Sequence, residues 1–323
     1  MKQEERAGVA LGAAAGLDAH RFAHAAMATV FEVLCIHDDA GYARQAAQAT
    51  FDLVDRLELE QSRFISNSDV SRVNTLAAGQ ATRVSPSTME CLEIAWRMHA
   101  LTGGAFDISI GSGLERLELV PDEFVVRSHS EGARLDLGGI GKGYAVDRMA
   151  ELLEEWEIGS ALIHGGFSSV LARDAPPGRD GWPLTLSAPG SGDGGILARI
   201  SARHQALSAS GTRKGTHIQD PIAGRPVEDR TAWTALSWSA GTAEAARREW
   251  HEAVRSPAAA AEALSTAFMI LPVEEIAELC SRCPGLEAWL IREPPEGAGP
   301  GAAPVHLPAS PARRGRPEES ALF

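Results

Sequence analysis

The sequence lacks any apolar run of bilayer length, so nothing in it reads as a transmembrane helix. It lacks a basic stretch of any weight. Its 43 acidic residues outnumber 30 basic ones, for a formal charge of -13, which excludes nucleic acid or an anionic membrane surface as a general partner. The one basic cluster, "PARRGRP", is short and lies in a Pro/Ala-rich tail. Cysteine is scarce too: Cys35, Cys91, Cys280 and Cys283 are too few and too scattered for a disulfide framework. Cys280 and Cys283 form one C-x-x-C with no second pair to complete a zinc site. On a helix they share the apolar stripe of Ile276 and Leu279, which makes them buried thiols. The N-terminal "MKQEERAGVALGAAAGLDAHRF" has acidic residues among its first charges and no following Cys to accept a lipid. The expectation is a cytoplasmic, reduced protein without a secretory signal.

What is present is an ordinary globular composition, 44% hydrophobic and 23% charged over 323 residues, long enough for a large core. "TVFEVLCIH" (29–37) reads as an early strand. From Ala43 to Glu60, the residues Ala46, Ala47, Phe51, Val54 and Leu57 fall at helical spacing. Ser85 as N-cap with Pro86 in the first turn starts a second helix, which ends at "TGG". "TGGAFDISIG" then reads as a helix stop followed by a strand. A third helix runs from the glycines of "LDLGGIGKGYAVDRMAELLEEW", with Ala145, Met149, Leu152 and Trp156 as its apolar stripe. "SALIHGG", "SSVLARD", "WPLTLSAP" and "GILARIS" follow as strands of a mostly antiparallel sheet. "AEAARREWHEAVRSPAAA" is a helix or helical insertion. Pro257 and Pro272 each open a helix, and "AWLIRE" is a last strand. Residues 1–22 are expected to be flexible, 23–293 to form the functional domain, and 294–323 to be a disordered Pro/Ala/Gly-rich tail.

Three stretches carry chemistry. The glycine–lysine run fits neither nucleotide template, since Asp136 stands where a Walker loop needs Gly and Gly139, Gly141 and Gly143 run G-x-G-x-G. A tight strand-to-helix connection accounts for the glycines alone. Lys142 at a helix entrance favours an anion there, because free N–H groups and the helix dipole attract negative charge. In "SASGTRKGTHIQDPIAGRP", Asp220, Pro221 and Gly224 make a turn, and His217 is a candidate base beside Arg213 and Lys214. In "AEALSTAF", Glu262 and Thr266 share a helix face, a carboxylate and a hydroxyl in a register that suits a hard cation, although a solvated Glu is the blander reading.

Taken in order, "AMATVFEV", "EQSRFISNSDVSRVN", "TGGAFDISIG", "LDLGGIGKGYAVDRMAELL", "SASGTRKGTHIQDPIAGRPV" and "AEALSTAF" resemble the FAD:protein FMN transferase (ApbE) family from about Met27 to Leu271. The resemblance implies an α+β fold of T-fold-like two-layer units with a flavin cleft between them. It implies Mg²⁺-dependent transfer of the FMN half of FAD to a Thr or Ser hydroxyl of an acceptor flavoprotein, with release of AMP. By the same resemblance Mg²⁺ is held by Glu262, Thr266 and the carbonyl of Gly141. His217 is the base and Lys142 receives phosphate charge. Met27, Phe64, Ser68, Asp69, Ala105, Phe106, Asp107, Asp147, Ser210 and Gly211 line the FAD site. The chain departs from the family pattern where Glu262 replaces the usual Asp, Ala209 the usual Thr and Gly141 the usual Ala, and in an insertion around 243–258. Two readings compete: an FAD pyrophosphatase releasing FMN and AMP, and a non-catalytic FAD-binding or trafficking protein. A serine hydrolase at Ser168 or Ser210 is disfavoured by the missing G-x-S-x-G elbow.

Overall fold

In the strand Thr29–Cys35, Phe31, Val33 and Cys35 join one hydrophobic core while Leu34 joins another. Alternation of this kind puts successive side chains on opposite faces of a sheet, and here both faces are covered. The computed structural model describes residues 8–11, 17–166, 168–187, 196–211, 218–227, 230–238, 250, 255–292 and 304–309.

The sheet has eight strands, all paired antiparallel. Their spatial order is Val305–Leu307, Leu286–Arg292, Arg230–Ser237, Gln205–Gly211, Ser169–Ala172, Ala161–Gly165, Thr29–Cys35 and His20–Ala26. One face packs against helices. The other packs against a three-stranded sheet of Gly8–Leu11, Trp182–Ser187 and Ile196–Ala202 through Leu162, Val170, Leu207 and Trp233. The fold class is therefore α+β, as expected.

The helices are α1 (Ala40–Gln61), α2 (Asp69–Val73), α3 (Pro86–Leu101), α4 (Gly141–Glu155), α5 (Pro257–Ala267) and α6 (Val273–Arg282). Ser85 caps α3 through the amide of Thr88 at 3.2 Å, with Pro86 in the first turn. Among the described residues no helix is long and apolar enough to cross a membrane.

Four expectations change. The apolar stripe of α4 is wider than expected: Tyr144, Val146, Asp147, Ala150 and Leu153 are buried with Ala145 and Met149, while Leu152 and Trp156 are only half-buried. The helix packs against α1, α5 and the sheet at once, so burial extends round most of its circumference. "TGGAFDISIG" forms turns instead of a strand, because the Asp107 carboxylate accepts from the amides of Ser109 at 2.7 Å and Gly111 at 2.9 Å. The strands Gln205–Gly211 and Arg230–Ser237 are not among those the sequence pattern predicts. The termini also contribute edge strands: Gly8–Leu11 pairs with Trp182–Ser187, and Val305–Leu307 with Leu286–Arg292. Segments too polar or too small to form a core of their own are ordered here by pairing to strands already in place.

Candidate active site

The entrance of α4 lies directly against α5. A Cβ on Gly143 would stand 2.3 Å from the carbonyl oxygen of Ala258, so only glycine permits this approach of the two helices. The α5 N-terminus is held from α4 as well. Its own N-cap, Ser256, makes no side-chain capping bond. Instead the Asp147 carboxylate accepts from the amides of Ala258 at 2.9 Å and Ala259 at 2.8 Å. Burial pushes the Asp147 carboxyl up to about 8, against the pull of these two donors. Asp147, expected at the flavin site, is 2% exposed and locks α5 to α4.

That lock brings Glu262 to the glycine–lysine entrance. Glu262 is buried; its Oε2 accepts from the Gly143 amide at 2.6 Å and its Oε1 contacts Lys142 Nζ. Lys142 Nζ also donates to the Gly138 carbonyl at 3.3 Å. One turn along α5, Thr266 Oγ1 lies 3.3 Å from Ser210 Oγ, which is 2.8 Å from Ser265 Oγ. Ser208 Oγ extends this hydroxyl chain, 3.1 Å from Ser265. Ser208, Ser210 and Gly211 come from one sheet strand, so the strand and α5 present a polar seam inside an otherwise apolar interface.

Loops surround the seam. A Cβ on Gly139 would lie 3.3 Å from Phe106 Cε2 and 3.5 Å from Thr266 Oγ1, so Phe106 and Thr266 flank the same glycine. Asp136 N donates to Ile108 O at 2.7 Å, and Arg63 Nε meets Asp136 Oδ2 at 3.0 Å. The Arg63 guanidinium sits 4.5 Å from the centre of the Phe64 ring, and Phe64 is 83% exposed. The Pro221 carbonyl lies 3.0 Å from where a Cβ on Gly111 would stand, so the loop after His217 borders the Asp107 turn. His217 itself, with Arg213 and Lys214, lies outside the described residues, as does most of the 243–258 insertion.

The remaining expected flavin residues divide by exposure. Ser68, Asp69, Ala105 and Phe106 are buried. Ser68 caps α2, and Asp69 accepts from Arg72 at 2.5 Å and from the Ser85 amide at 2.7 Å. Met27 sits half-buried at the tip of the His20–Ala26/Thr29–Cys35 hairpin, with φ of 49°. Gln61 was missed. It is 5% exposed, its Oε1 is unpartnered among the described residues, and it lies 4.0 Å from where a Cβ on Gly141 would stand. A polar residue four positions after Leu57, on the core face of α1, is the signal that could have found it.

The donor set here is all oxygen, one carboxylate with hydroxyls and carbonyls, which fits a hard divalent cation better than zinc. Among the described residues no group of three or more His, Cys, Asp or Glu forms a metal cluster. Among the described residues Glu262 is the carboxylate of the seam, and Lys142 holds its Oε1.

The fold is that of known flavin transferases. The flavin transferase ApbE from Vibrio cholerae superposes with a TM-score of 0.72 at 17% identity, covering 89% of this chain and 97% of that one. The apo Pseudomonas stutzeri flavinyl transferase ApbE gives 0.71 at 19% identity, covering 89% and 94%. In sequence, the FAD:protein FMN transferase of Vibrio cholerae serotype O1 is 25% identical over 259 residues, 68% of this chain and 76% of the relative. The family model described as "ApbE family" matches residues 27–119 and 112–249, well over half the chain. The chain belongs to the ApbE family.

Proposed function

We propose that the protein is an FAD:protein FMN transferase, moving the FMN moiety of FAD to a Thr or Ser hydroxyl of an acceptor flavoprotein and releasing AMP. The observation that carries this reading is the meeting of Lys142 and Glu262 at the α4 entrance beside the Ser210–Thr266 hydroxyls, in a chain of the ApbE family. A basic group and hydroxyls at the positive end of a helix suit a pyrophosphate.

The acceptor oxygen attacks the phosphorus attached to riboflavin, and the bond from that phosphorus to the bridging oxygen breaks. AMP leaves with the electron pair, and the acceptor's proton passes to His217. Lys142 neutralises phosphate charge through the step. Mg²⁺, held by Glu262, Thr266 and the carbonyl of Gly141, would supply Lewis-acid stabilisation of the pyrophosphate. Exposed Phe64 offers a face for the isoalloxazine ring, with Met27 and the Asp107 turn as further walls and Gly211 at the strand end. Ser68, Asp69, Ala105, Phe106 and Asp147 complete the FAD-site set in this reading, as buried residues that support these parts.

The test pairs wild type with His217→Asn, each incubated with FAD, Mg²⁺ and a flavin-accepting domain. Wild type should give a fluorescent covalent acceptor band. The variant should keep FAD binding and lose at least about a hundredfold in rate, the ordinary contribution of a general base. A variant as fast as wild type removes His217 from the reaction.

A further inference from the structure

We propose that Lys142 blocks the cation-binding oxygen of Glu262 until an anionic substrate draws it away, so that divalent cation binding waits on FAD. The inference rests on the flavin-transfer reading and concerns the order in which its components bind.

Glu262 has two oxygens and both are engaged. The Gly143 amide holds Oε2 at 2.6 Å, and Lys142 holds Oε1. At 4% exposure the carboxylate has almost no water to turn to, and a buried charge without a counter-charge is strongly unfavourable. Lys142 is therefore its resident neutraliser. The neighbouring acids have partners of their own, Asp136 with Arg63 and Asp147 with the α5 amides, so neither competes with Glu262 for Lys142. A divalent cation reaching Oε1 meets the ammonium at contact distance, and two cations on one oxygen repel. One of them must leave.

Lys142 can leave. Its side chain is 20% exposed, and its second partner is a single carbonyl, Gly138 O at 3.3 Å. A lysine stem is flexible and its ammonium redirects readily. A pyrophosphate at the α4 entrance gives it a stronger partner than a carbonyl and frees Oε1 in the same movement. By thermodynamic linkage the cation then strengthens FAD binding by the same factor.

The experiment measures Mn²⁺ binding by electron paramagnetic resonance of free Mn²⁺, on the full chain without acceptor. It is run with and without FAD, after subtracting the Mn²⁺ that FAD holds by itself. Wild type should bind Mn²⁺ weakly alone and at least about tenfold more tightly with FAD. Glu262→Asp conserves every charge but is one methylene too short to keep both the Gly143 amide and Lys142. It should bind Mn²⁺ without FAD at least about tenfold more tightly than wild type, with little further gain from FAD. Lys142→Gln should behave likewise, and Mn²⁺ should raise its melting temperature more than that of wild type. A cation that merely bridges the phosphates of FAD gives coupling in wild type but no gain in Glu262→Asp without FAD, and that result overturns the proposal. Equal Mn²⁺ affinity of wild type with and without bound FAD also overturns it. Failure of FAD to bind, followed separately by equilibrium dialysis, overturns the flavin-transfer reading and the substrate half of the proposal together. The comparison of Glu262→Asp with wild type still decides the block by Lys142.

Discussion

Single side chains here carry consequences out of proportion to their size, and His164 shows one that is independent of catalysis. It sits in the strand Ala161–Gly165 at 6% exposure, and its Nε2 has no partner among the described residues. Burial lowers its pKa from 6.5 to about 4. Between those values the unfolded chain binds a proton that the folded chain refuses. Stability from this residue is therefore full above the unfolded value and is lost as pH falls toward the folded one. The effect amounts to about 3 kcal/mol at most. Denaturant unfolding from pH 7 down to 4 should show a fall that His164→Leu removes, and an unchanged slope in the variant would assign the acid sensitivity elsewhere. Glu262 is the functional counterpart. It shares a helix face with Thr266, and that register was legible in "AEALSTAF". Its contact with Lys142 was not, because the two are 120 positions apart and no local period encodes their meeting.

At the scale of elements, the site depends on how α5 is held against α4. Asp147→Ala strips both acceptors from the Ala258 and Ala259 amides and should cost about 1–2 kcal/mol in urea unfolding. Asp147→Asn keeps one oxygen acceptor and should cost less. Gly143→Ala meets the Ala258 carbonyl directly and must push the helices apart, at about 1–3 kcal/mol. Because Glu262 rides on α5, both Asp147→Ala and Gly143→Ala should also weaken FAD binding. Retained FAD affinity in a destabilised Gly143→Ala would show that the site does not depend on this packing. Signals made by adjacent residues, such as Ser85–Pro86 before α3 and Pro257 before α5, were readable in the sequence. The Asp107 turn was not, because its apolar Ile108 and Ile110 imitate a strand while a single carboxylate bends the backbone. The strand Arg230–Ser237 is not legible in the sequence because it is buried on both faces and carries no clean alternation.

At the scale of the whole molecule, an eight-stranded sheet covered on both faces fixes one end of α4 and α5 as a rigid corner, and loops from four distant parts of the chain gather round it. The order of motifs along the chain made this family legible. Their spatial assembly, and the hydroxyl chain from Ser208 through Ser265 and Ser210 to Thr266, required the fold. Intact-mass analysis of an acceptor domain, after incubation with the protein, FAD and Mg²⁺, is the direct measurement of flavin-nucleotide transfer. The expected result is a gain equal to FMN less one water on a single Thr or Ser, with one AMP released per acceptor modified. AMP and free FMN with an unmodified acceptor, or bound FAD with neither product, would contradict it.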